Sequence, residues 1–412
     1  MYFRLATLGC KVNQYETEYL REGLLRLGYA ETDGPADLVV VNTCTVTAES
    51  DRKSRKIVRK LIKENAGATV VVMGCSATRD PAALTVIPGV SRIITDKQEI
   101  PAFLRELGLA EPPAGIHRFG ERHRAYVKVQ DGCRVGCSYC IIPKVRPVLL
   151  SRPEDDVLAE IRQLSQNGYR EIVLTGIHLG HYGVDFSDEK RSDLAALVKS
   201  IAELDEPFRL RISSLEAVEV SDELVDVMLG HPERICPHLH LSMQSGSDDV
   251  LRRMRRRWFR EPFLRRCEEI SARFDRLALT TDVIVGFPGE TGEQFEETCD
   301  AVERLGFSKV HVFRFSPRKG TEAFSLPDRV PSPVQKCRAE HLAALSQRIR
   351  EKYAASLVGM TLPVLLETVH GGTSDRYLEV RLVEPVPESS VGEIVGVKID
   401  NVHGDVLSAT IP

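Results

Sequence analysis

Short apolar runs alternate with helical patterns through most of the chain, and this alternation restricts its fold more than any other feature. In the first quarter of the chain the apolar runs are residues 3–8, 38–41, 69–73 and 92–94. Strands that are separated by helices run parallel and are covered by those helices. We therefore predict an α/β protein whose N-terminal domain, residues 1–112, contains an open parallel sheet.

A second series of apolar runs follows a linker that contains Pro112 and Pro113. The runs are residues 125–130, 171–175, 208–213, 238–242, 279–285 and 309–315, and helical stretches at 153–164, 193–204, 221–229 and 290–305 separate most of them. Six βα units of this kind predict a central domain, residues 119–350, that forms a partial (β/α)6 barrel. Functional groups of such barrels lie at the carboxyl ends of the strands. A long charged helix is predicted from 333 to about 357.

The tail differs from the rest of the chain. Val, Leu and Ile alternate there with polar residues, and Gly371, Gly372, Gly392 and Gly404 interrupt the runs. This pattern predicts a small antiparallel β-barrel over residues 354–412.

The start of the chain lacks the pattern of a secretory signal, and no uninterrupted apolar run approaches the roughly 18 residues of a membrane span. We therefore expect a cytoplasmic protein with no membrane partner. Because thiols stay reduced in the cytoplasm, the ten cysteines point to metal binding or chemistry and not to disulfides.

Cys133, Cys137 and Cys140 directly follow the first strand of the predicted barrel, on a loop that contains Gly132 and Gly136. Three thiolates can bind three irons of a 4Fe-4S cluster and leave the fourth iron open to chelate a substrate. Zinc and free thiols are the alternatives, although structural zinc sites usually have four protein ligands.

Cys10, Cys44 and Cys75 each stand at the downstream end of a predicted N-terminal strand. Strand ends of an open parallel sheet converge on one crevice, so three thiolates there suggest a second 4Fe-4S cluster with an open iron. The alternative is three small buried residues, which is common for free cysteine. We expect the remaining four cysteines and four histidines of the central domain to be structural: Cys236, Cys267, Cys299, Cys337, His178, His181, His238 and His240.

Several motifs together resemble one family. They are Gly9-Cys-Lys-Val-Asn-Gln-Tyr-Glu-Thr17, Val41-Asn-Thr-Cys44, Gly74-Cys75, Gln130-Asp-Gly-Cys133 through Pro143, Leu174-Thr-Gly176, Ser213-Ser-Leu-Glu216, Gln244-Ser-Gly-Ser247 and Thr281 through Glu290. Nearly the whole chain resembles the radical S-adenosylmethionine (SAM) methylthiotransferases that modify adenosine 37 of tRNA. The tail resembles their RNA-binding TRAM barrel, and residues 235–246 look most like the branch that acts on threonylcarbamoyl-adenosine.

The chain departs from the family pattern after the second triplet of cysteines. An aromatic residue and Arg-Gly are common there, whereas this chain has Lys144 and Arg146-Pro147. Pro147 stiffens the loop and removes an amide donor.

The resemblance implies two 4Fe-4S clusters with SAM as cofactor. The cluster on Cys133, Cys137 and Cys140 would generate the radical, and the cluster on Cys10, Cys44 and Cys75 would deliver the methylthio group. Six residues are expected to contact SAM: Tyr139, Thr175, Gly176, Ser214, Glu216 and Gln244. The partners it implies are the tRNA anticodon loop and an electron donor such as flavodoxin or ferredoxin.

Net charge does not favour RNA globally, because the chain carries −4. Two local basic stretches are candidates for phosphate contact, one after Cys44 (Arg52 to Lys63) and one around Trp258 (Arg252 to Arg260), where the aromatic ring suits base stacking. The tail carries eight acidic and three basic residues from Ala354 onward, which disfavours phosphate binding. Two other substrates are alternatives to threonylcarbamoyl-adenosine: isopentenyl-adenosine in tRNA and a ribosomal-protein aspartate. The alternative to an enzyme is a non-catalytic iron-sulfur RNA-binding sensor.

Overall fold

The computed structural model describes residues 1–120, 123–187 and 192–412. Its strands are β1 Tyr2–Thr7, β2 Ala30–Glu31, β3 Leu38–Thr43, β4 Thr69–Gly74, β5 Arg92–Ile93, β6 Arg124–Asp131, β7 Leu150–Ser151, β8 Glu171–Gly176, β9 Arg209–Ile212, β10 His238–His240, β11 Ala278–Val285, β12 Lys309–Arg314, β13 Thr361–Thr368, β14 Gly371–Ser374, β15 Glu379–Leu382, β16 Ile394–His403 and β17 Val406–Thr410. Its helices are α1 Lys11–Arg26, α2 Ala48–Glu64, α3 Cys75–Arg79, α4 Pro81–Thr85, α5 Ile100–Glu106, α6 Ile142–Val145, α7 Glu154–Gln166, α8 Leu194–Ala202, α9 Asp222–Gly230, α10 Asp248–Arg253, α11 Arg260–Ser271, α12 Gly292–Leu305 and α13 Ser332–Ala355.

The N-terminal sheet has the strand order β2-β1-β3-β4-β5, and all its pairs are parallel. Its central strand β3 is buried at every position, which requires the unbroken apolar run that the sequence shows there. Because β1, β3 and β4 are neighbours, their carboxyl ends lie side by side. The predicted open parallel sheet is confirmed.

The central strands form two parallel sheets of one partial barrel. β6, β8 and β9 pair in parallel, with β7 antiparallel at the edge of β6, and β10, β11 and β12 form the second sheet. Single bridges from Leu210 to Ile235 and from Leu215 to Leu241 join the two sheets. No pairing connects β6 with β12 within the described ranges, so the barrel is open on that side. The predicted partial barrel is confirmed.

The tail closes into a five-stranded barrel of order β13-β14-β15-β17-β16. Every pair is antiparallel except β15 with β17, because β16 intervenes in the sequence and the chain crosses over instead of turning in a hairpin. The predicted small barrel is confirmed, with this one parallel pair added. No helix in the described part of the chain is both long and apolar enough to cross a membrane.

Two arginines of β9 attach this C-terminal barrel to the central one. Arg209 donates to the carbonyls of Pro363 and Thr373 at 2.8 and 2.9 Å, and Arg211 donates to the Asp375 carbonyl at 2.8 Å. Arg209 begins β9, and Arg124, which begins β6, also donates to Glu367 and Thr373 of the tail. The tail therefore covers the amino ends of these strands. The carboxyl ends stay available for the cysteines. We propose that the N-terminal, central and C-terminal domains comprise residues 1–112, 119–350 and 354–412.

Candidate functional site

Three cysteines of the N-terminal domain converge at the carboxyl ends of adjacent strands. Cys10 caps α1 just after β1, Cys44 directly follows β3, and Cys75 directly follows β4. Asn13 Oδ1 lies 3.9 Å from Cys10 Sγ and 4.0 Å from Cys75 Sγ. A Cβ atom on Gly9 would lie 3.3 Å from Cys44 Sγ, and its φ of +111° suits glycine. The three thiols therefore face one point.

An arginine from the second cysteine loop lies against these thiols. Arg146 Nε donates to Cys75 Sγ over 3.4 Å, and its side chain is only 1% exposed. Its terminal nitrogens donate to the carboxylates of Glu16 at 2.7 Å and Asp131 at 2.8 Å. Burial disfavours the charged guanidinium, but Glu16 and Asp131 outweigh burial and hold the pKa of Arg146 above its ordinary value. A permanent cation thus contacts one thiol of the first triplet.

Cys133, Cys137 and Cys140 lie on one tight loop after β6. The Cys140 amide donates to the Cys137 carbonyl at 3.0 Å, which closes a turn between two of the thiols. Gly132 begins the loop with φ of +80°, and a Cβ atom there would lie 1.8 Å from the Val148 carbonyl oxygen. Only glycine therefore fits at the start of the loop.

Two thiols of this second triplet have basic neighbours that the sequence analysis did not identify. Arg256 donates to Cys137 Sγ at 3.3 Å. His178 Nδ1 lies 3.4 Å from Cys133 Sγ, and its Nε2 lies 2.7 Å from the Glu219 carboxylate. Burial raises the pKa of Cys140 to about 12, so a bound metal would have to displace the thiol protons.

A cavity of about 210 Å³ lies beside Cys140 of the second triplet. Tyr139 and Cys140 line it together with Val46 and Thr47, which follow Cys44 of the first triplet. The ends of β11 and β12 complete the cavity with Asp282, Ile284 and residues 313–316. The lining is mostly apolar, so a planar base could be held there with water excluded.

Two of the residues expected to contact SAM, Tyr139 and Gln244, line this cavity, and a third, Glu216, binds the arginine beside Cys137. Tyr139 packs edge-on against Phe287 with ring centroids 6.4 Å apart. Gln244 lines the cavity with φ of +67°, an uncommon conformation for a residue with a side chain. Glu216 is buried and pairs with Arg256 at 3.1 Å and with Arg257 at 2.6 Å. Glu216 therefore orders the arginine that touches Cys137.

The other three expected residues lie at strand ends outside the cavity lining. Thr175 is buried and Gly176 ends β8, where a Cβ atom would meet the Gln130 side chain at 3.2 Å. Ser214 is exposed just after β9. The structure thus groups Tyr139 and Gln244 with Cys140 and leaves these three on the rim.

A buried ion network ties the N-terminal domain to the loop after β12. Arg318, only 4% exposed, donates to Thr45 Oγ1 at 2.7 Å and to the Asp51 carboxylate. Arg79 donates to the same carboxylate at 2.6 Å. Thr45 is the residue after Cys44, so this network fixes the first triplet relative to the barrel.

Lys11 is a further residue that sequence reasoning did not single out. It follows Cys10 at the start of α1, and its Nζ lies 5.9 Å from the centroid of the Tyr126 ring on β6. Burial, together with the charges of Arg211 and Arg124, lowers the pKa of Lys11 to about 8. The sequence around Lys11 does not reveal this contact, because Tyr126 belongs to the central domain and is far away along the chain.

The two basic stretches have different exposure. In α2 the cations alternate with buried Val58 and Leu61, so most of them form one exposed face. In the second stretch Arg252 and Arg255 are exposed, but Trp258 is only 3% exposed. The prediction that a base stacks on Trp258 is therefore wrong, because its ring packs into the core. The ring contacts Arg256 instead, whose Cζ lies 3.9 Å from the ring centroid.

Comparison with known proteins places this arrangement in a class. Residues 127–302 match the model of the Radical SAM superfamily, and residues 2–95 match that of the Uncharacterized protein family UPF0004. The fold is similar to that of the radical SAM methyltransferase TsrM from Kitasatospora setae, with a TM-score of 0.54 and 15% identity over 76% of this chain and 74% of that one. The fold and the loop of Cys133, Cys137 and Cys140 define a radical SAM protein.

Full-length relatives narrow the class. The threonylcarbamoyladenosine tRNA methylthiotransferase MtaB of Bacillus subtilis is 38% identical over 95% of this chain and 92% of its own length. The tRNA-2-methylthio-N(6)-dimethylallyladenosine synthase of Corynebacterium urealyticum is 33% identical over 100% of this chain and 82% of its own length. The chain belongs to the radical SAM tRNA methylthiotransferase family. It is therefore a transferase that uses SAM and two 4Fe-4S clusters, and the alternative of a non-catalytic sensor falls away.

Proposed function

We propose that this enzyme inserts a methylthio group at carbon 2 of threonylcarbamoyl-adenosine at position 37 of tRNA. The observation that carries the proposal is a cavity that Cys140 of one triplet lines together with Val46 and Thr47, which follow Cys44 of the other triplet. A carbon atom held there lies within reach of a radical source and of a sulfur source. The higher identity to the threonylcarbamoyladenosine enzyme, 38% against 33%, favours that substrate over an isopentenyl-type adenosine.

We assign one 4Fe-4S cluster to Cys133, Cys137 and Cys140 and the other to Cys10, Cys44 and Cys75. The donor sets fit, since each offers three soft thiols that face one point and leaves one iron position open. When bound, the clusters supply reductive cleavage of SAM at one site and sulfur for transfer at the other. Arg256 and Arg146 donate hydrogen bonds to one thiol of each set, so both sites provide positive charge for anionic clusters.

We propose that Tyr139 and Gln244 hold SAM against the Cys140 side of the cavity. Glu216 acts on the same site through Arg256, which it binds at 3.1 Å. Thr175 and Gly176 are proposed to meet the amino group of SAM from the end of β8, and exposed Ser214 is proposed to make a polar contact from the end of β9.

The anticodon loop is proposed to reach the cavity along the cationic face of α2, which leads away from Cys44. Exposed Arg252 and Arg255 lie on the side of the other triplet. Phosphates can be bound on both sides while adenosine 37 enters between them. An electron donor such as flavodoxin or ferredoxin reduces the enzyme, and the tRNA substrate implies a cytoplasmic location.

The test is methylthiolation in a defined reaction. Anaerobically reconstituted enzyme, SAM, a sulfide source and reductant are incubated with tRNA that carries threonylcarbamoyl-adenosine, and nucleosides are analysed by mass spectrometry. We expect the methylthio product, and about eight irons per chain. Parallel reactions with isopentenyl-adenosine tRNA and with ribosomes test the other substrates. Modification of one of those alone would overturn the proposed substrate.

Cysteine variants separate the two sites. Replacing Cys10, Cys44 and Cys75 by Ala should leave about four irons and retain SAM cleavage, while methylthio transfer is lost. Replacing Cys133, Cys137 and Cys140 by Ala should abolish SAM cleavage itself. Cys337→Ala is the matched control, because Cys337 is exposed on α13. Retained methylthio transfer in the first triple variant would contradict the assignment.

A further inference from the structure

The interior of the partial barrel is lined by buried charges that are almost all paired. Glu171 of β8 is fully buried and accepts from Arg209 at 2.7 Å and from Arg211 at 3.0 Å. Lys128 of β6 is paired too, with Asp131 at 3.0 Å and with Glu16 at 3.3 Å. Buried cations are expected to have such partners, since an unpaired charge in a poorly hydrated site is costly.

Lys11, whose side chain is half-buried, has no such partner in the described part of the chain. Its side chain extends from the first residue of α1 toward the barrel and places Nζ 5.9 Å from the centroid of the Tyr126 ring on β6. Among the described residues no carboxylate lies within ion-pair distance of this Nζ and no hydrogen bond of it is found. Among the charged groups around it, the cations of Arg211 and Arg124 act on Lys11 most strongly, and the nearby Glu171 already binds these arginines. The position therefore has an excess of positive charge and lacks an anion.

The residues between Lys11 and the cavity are polar as well. Asp282 lines the cavity and pairs in register with His311 on β12. His240 Nε2 lies 3.3 Å from the Asp282 carboxylate but makes no hydrogen bond, although it is buried. The ligand atoms of His240, Asp282 and His311 all lie within 4.8 Å of one another, so the two rings already face the Asp282 carboxylate. The positive charges of Lys309 and Lys11 act on His311 and disfavour a metal ion there.

We propose that Lys11 binds the carboxylate of the threonyl group on the substrate base. This inference rests on the proposed function. The carbamoyl N–H of such a base can fold toward N1 of the adenine, which puts the threonyl group on the same edge as carbon 2. Neighbouring residues, Lys11 and Cys10, could then bind the substituent and serve the reacting carbon.

The subsite would also select the substrate. An isopentenyl group has no charge, so it would cover the Lys11 ammonium without giving it a partner. A threonylcarbamoyl group supplies the missing anion. A buried hydrogen-bonded charge pair of this kind corresponds to about tenfold or more in affinity.

Binding of two anticodon stem-loop RNAs tests this directly. One carries threonylcarbamoyl-adenosine at position 37, and the other carries its methyl ester, which has nearly the same shape but no charge. Fluorescence anisotropy with reconstituted wild-type enzyme should show at least about tenfold tighter binding of the acid. Lys11→Met should bind both RNAs equally and bind the ester about as well as wild type does. Lys336→Met is the control, because Lys336 is exposed on α13 and pairs with Glu340.

The outcomes separate this inference from the proposed function. If Lys11→Met keeps the preference for the acid, the subsite is overturned while the methylthiotransferase activity stands. If wild-type enzyme does not modify the acid RNA at all, the proposed function fails instead. Lys11→Arg keeps the positive charge and should retain the preference for the acid RNA. This variant provides the test if Lys11→Met binds neither RNA. Equal binding of both RNAs by Lys11→Arg would also overturn the subsite.

Discussion

At the scale of single residues, Arg146 connects parts of the chain that are far apart in sequence. It contacts Cys75 of the first triplet, Glu16 of α1 and Asp131 at the end of β6. The arginine binds the buried carboxylate of Glu16 and the half-buried one of Asp131, and it also contacts a proposed cluster ligand. Stability and cluster properties therefore depend on one side chain.

Arg146→Met should lower the stability of the metal-free protein by about 3 to 5 kcal/mol, because it leaves buried carboxylates with one cation fewer. Urea unfolding measures the change. Arg4→Met is the matched control: Arg4 pairs with Glu64 at 3.1 Å near the surface, where an ion pair contributes about 1 kcal/mol or less. Equal losses in both variants would contradict the role of Arg146.

Arg146→Met should also lower the reduction potential of the cluster on Cys10, Cys44 and Cys75, since hydrogen bonds to a ligand sulfur stabilise the reduced state. A redox titration followed by electron paramagnetic resonance measures this. Arg146→Lys keeps the charge without the planar fork and should lie between the two. An unchanged potential in Arg146→Met would show that the 3.4 Å contact with Cys75 has no electronic effect.

At the scale of elements, the loop after β12 holds the N-terminal domain against the barrel. Arg318 binds Asp51 of α2 and Thr45 beside Cys44. Arg318→Met should loosen this contact, so that SAM is still cleaved but methylthio transfer becomes inefficient. The ratio of 5′-deoxyadenosine to methylthio product measures the uncoupling and should rise several-fold. Arg329→Met, which removes only an exposed side chain bonded to the Phe324 carbonyl, should leave the ratio unchanged.

The strand β8 contributes a pH dependence through Glu171. Burial alone would raise the pKa of Glu171, but Arg211 and Arg209 outweigh it and hold the pKa well below its ordinary value. The pKa of a glutamate in an unfolded chain is about 4. Because the pKa of Glu171 is lower than this in the folded protein, the carboxylate stabilises the fold above about pH 4, and this contribution is lost as the pH falls further. The midpoint temperature of thermal unfolding should therefore decrease as the pH is lowered from about 4 to about 3. Glu171→Gln should have a lower midpoint at neutral pH and a weaker acid dependence, and an unchanged dependence would contradict this assignment.

Elements were easier to predict from the sequence than contacts. The run Leu-Val-Val-Val of β3 specifies a buried parallel strand locally, and the cysteine after it is then placed by topology. The contact of Arg146 with Cys75 spans 71 residues and that of Arg256 with Cys137 spans 119, so no local pattern reveals either. Trp258 shows the converse error, since a tryptophan among arginines gives no sign of whether its ring is exposed.

At the scale of the whole molecule, charge is distributed against simple RNA binding. The chain carries −4 overall, and its C-terminal barrel is acidic. That barrel also uses Pro363, Thr373 and Asp375 to dock on the central domain. Phosphate binding must then come from local patches, and the exposed face of α2 is the one nearest Cys44.

Charge reversal on α2 tests this distribution. Arg59→Glu, Lys60→Glu and Lys63→Glu change only exposed side chains of the helix, so the fold should be retained. Because each lost phosphate contact removes about one unit of the slope of log affinity against log salt, we expect weaker tRNA binding and a flatter slope. The loss should be equal for the acid and ester stem-loops, since phosphate contacts carry no information about the base. Lys336→Glu on α13 is the control, and a salt slope unchanged in the α2 variant would move the RNA interface to another surface.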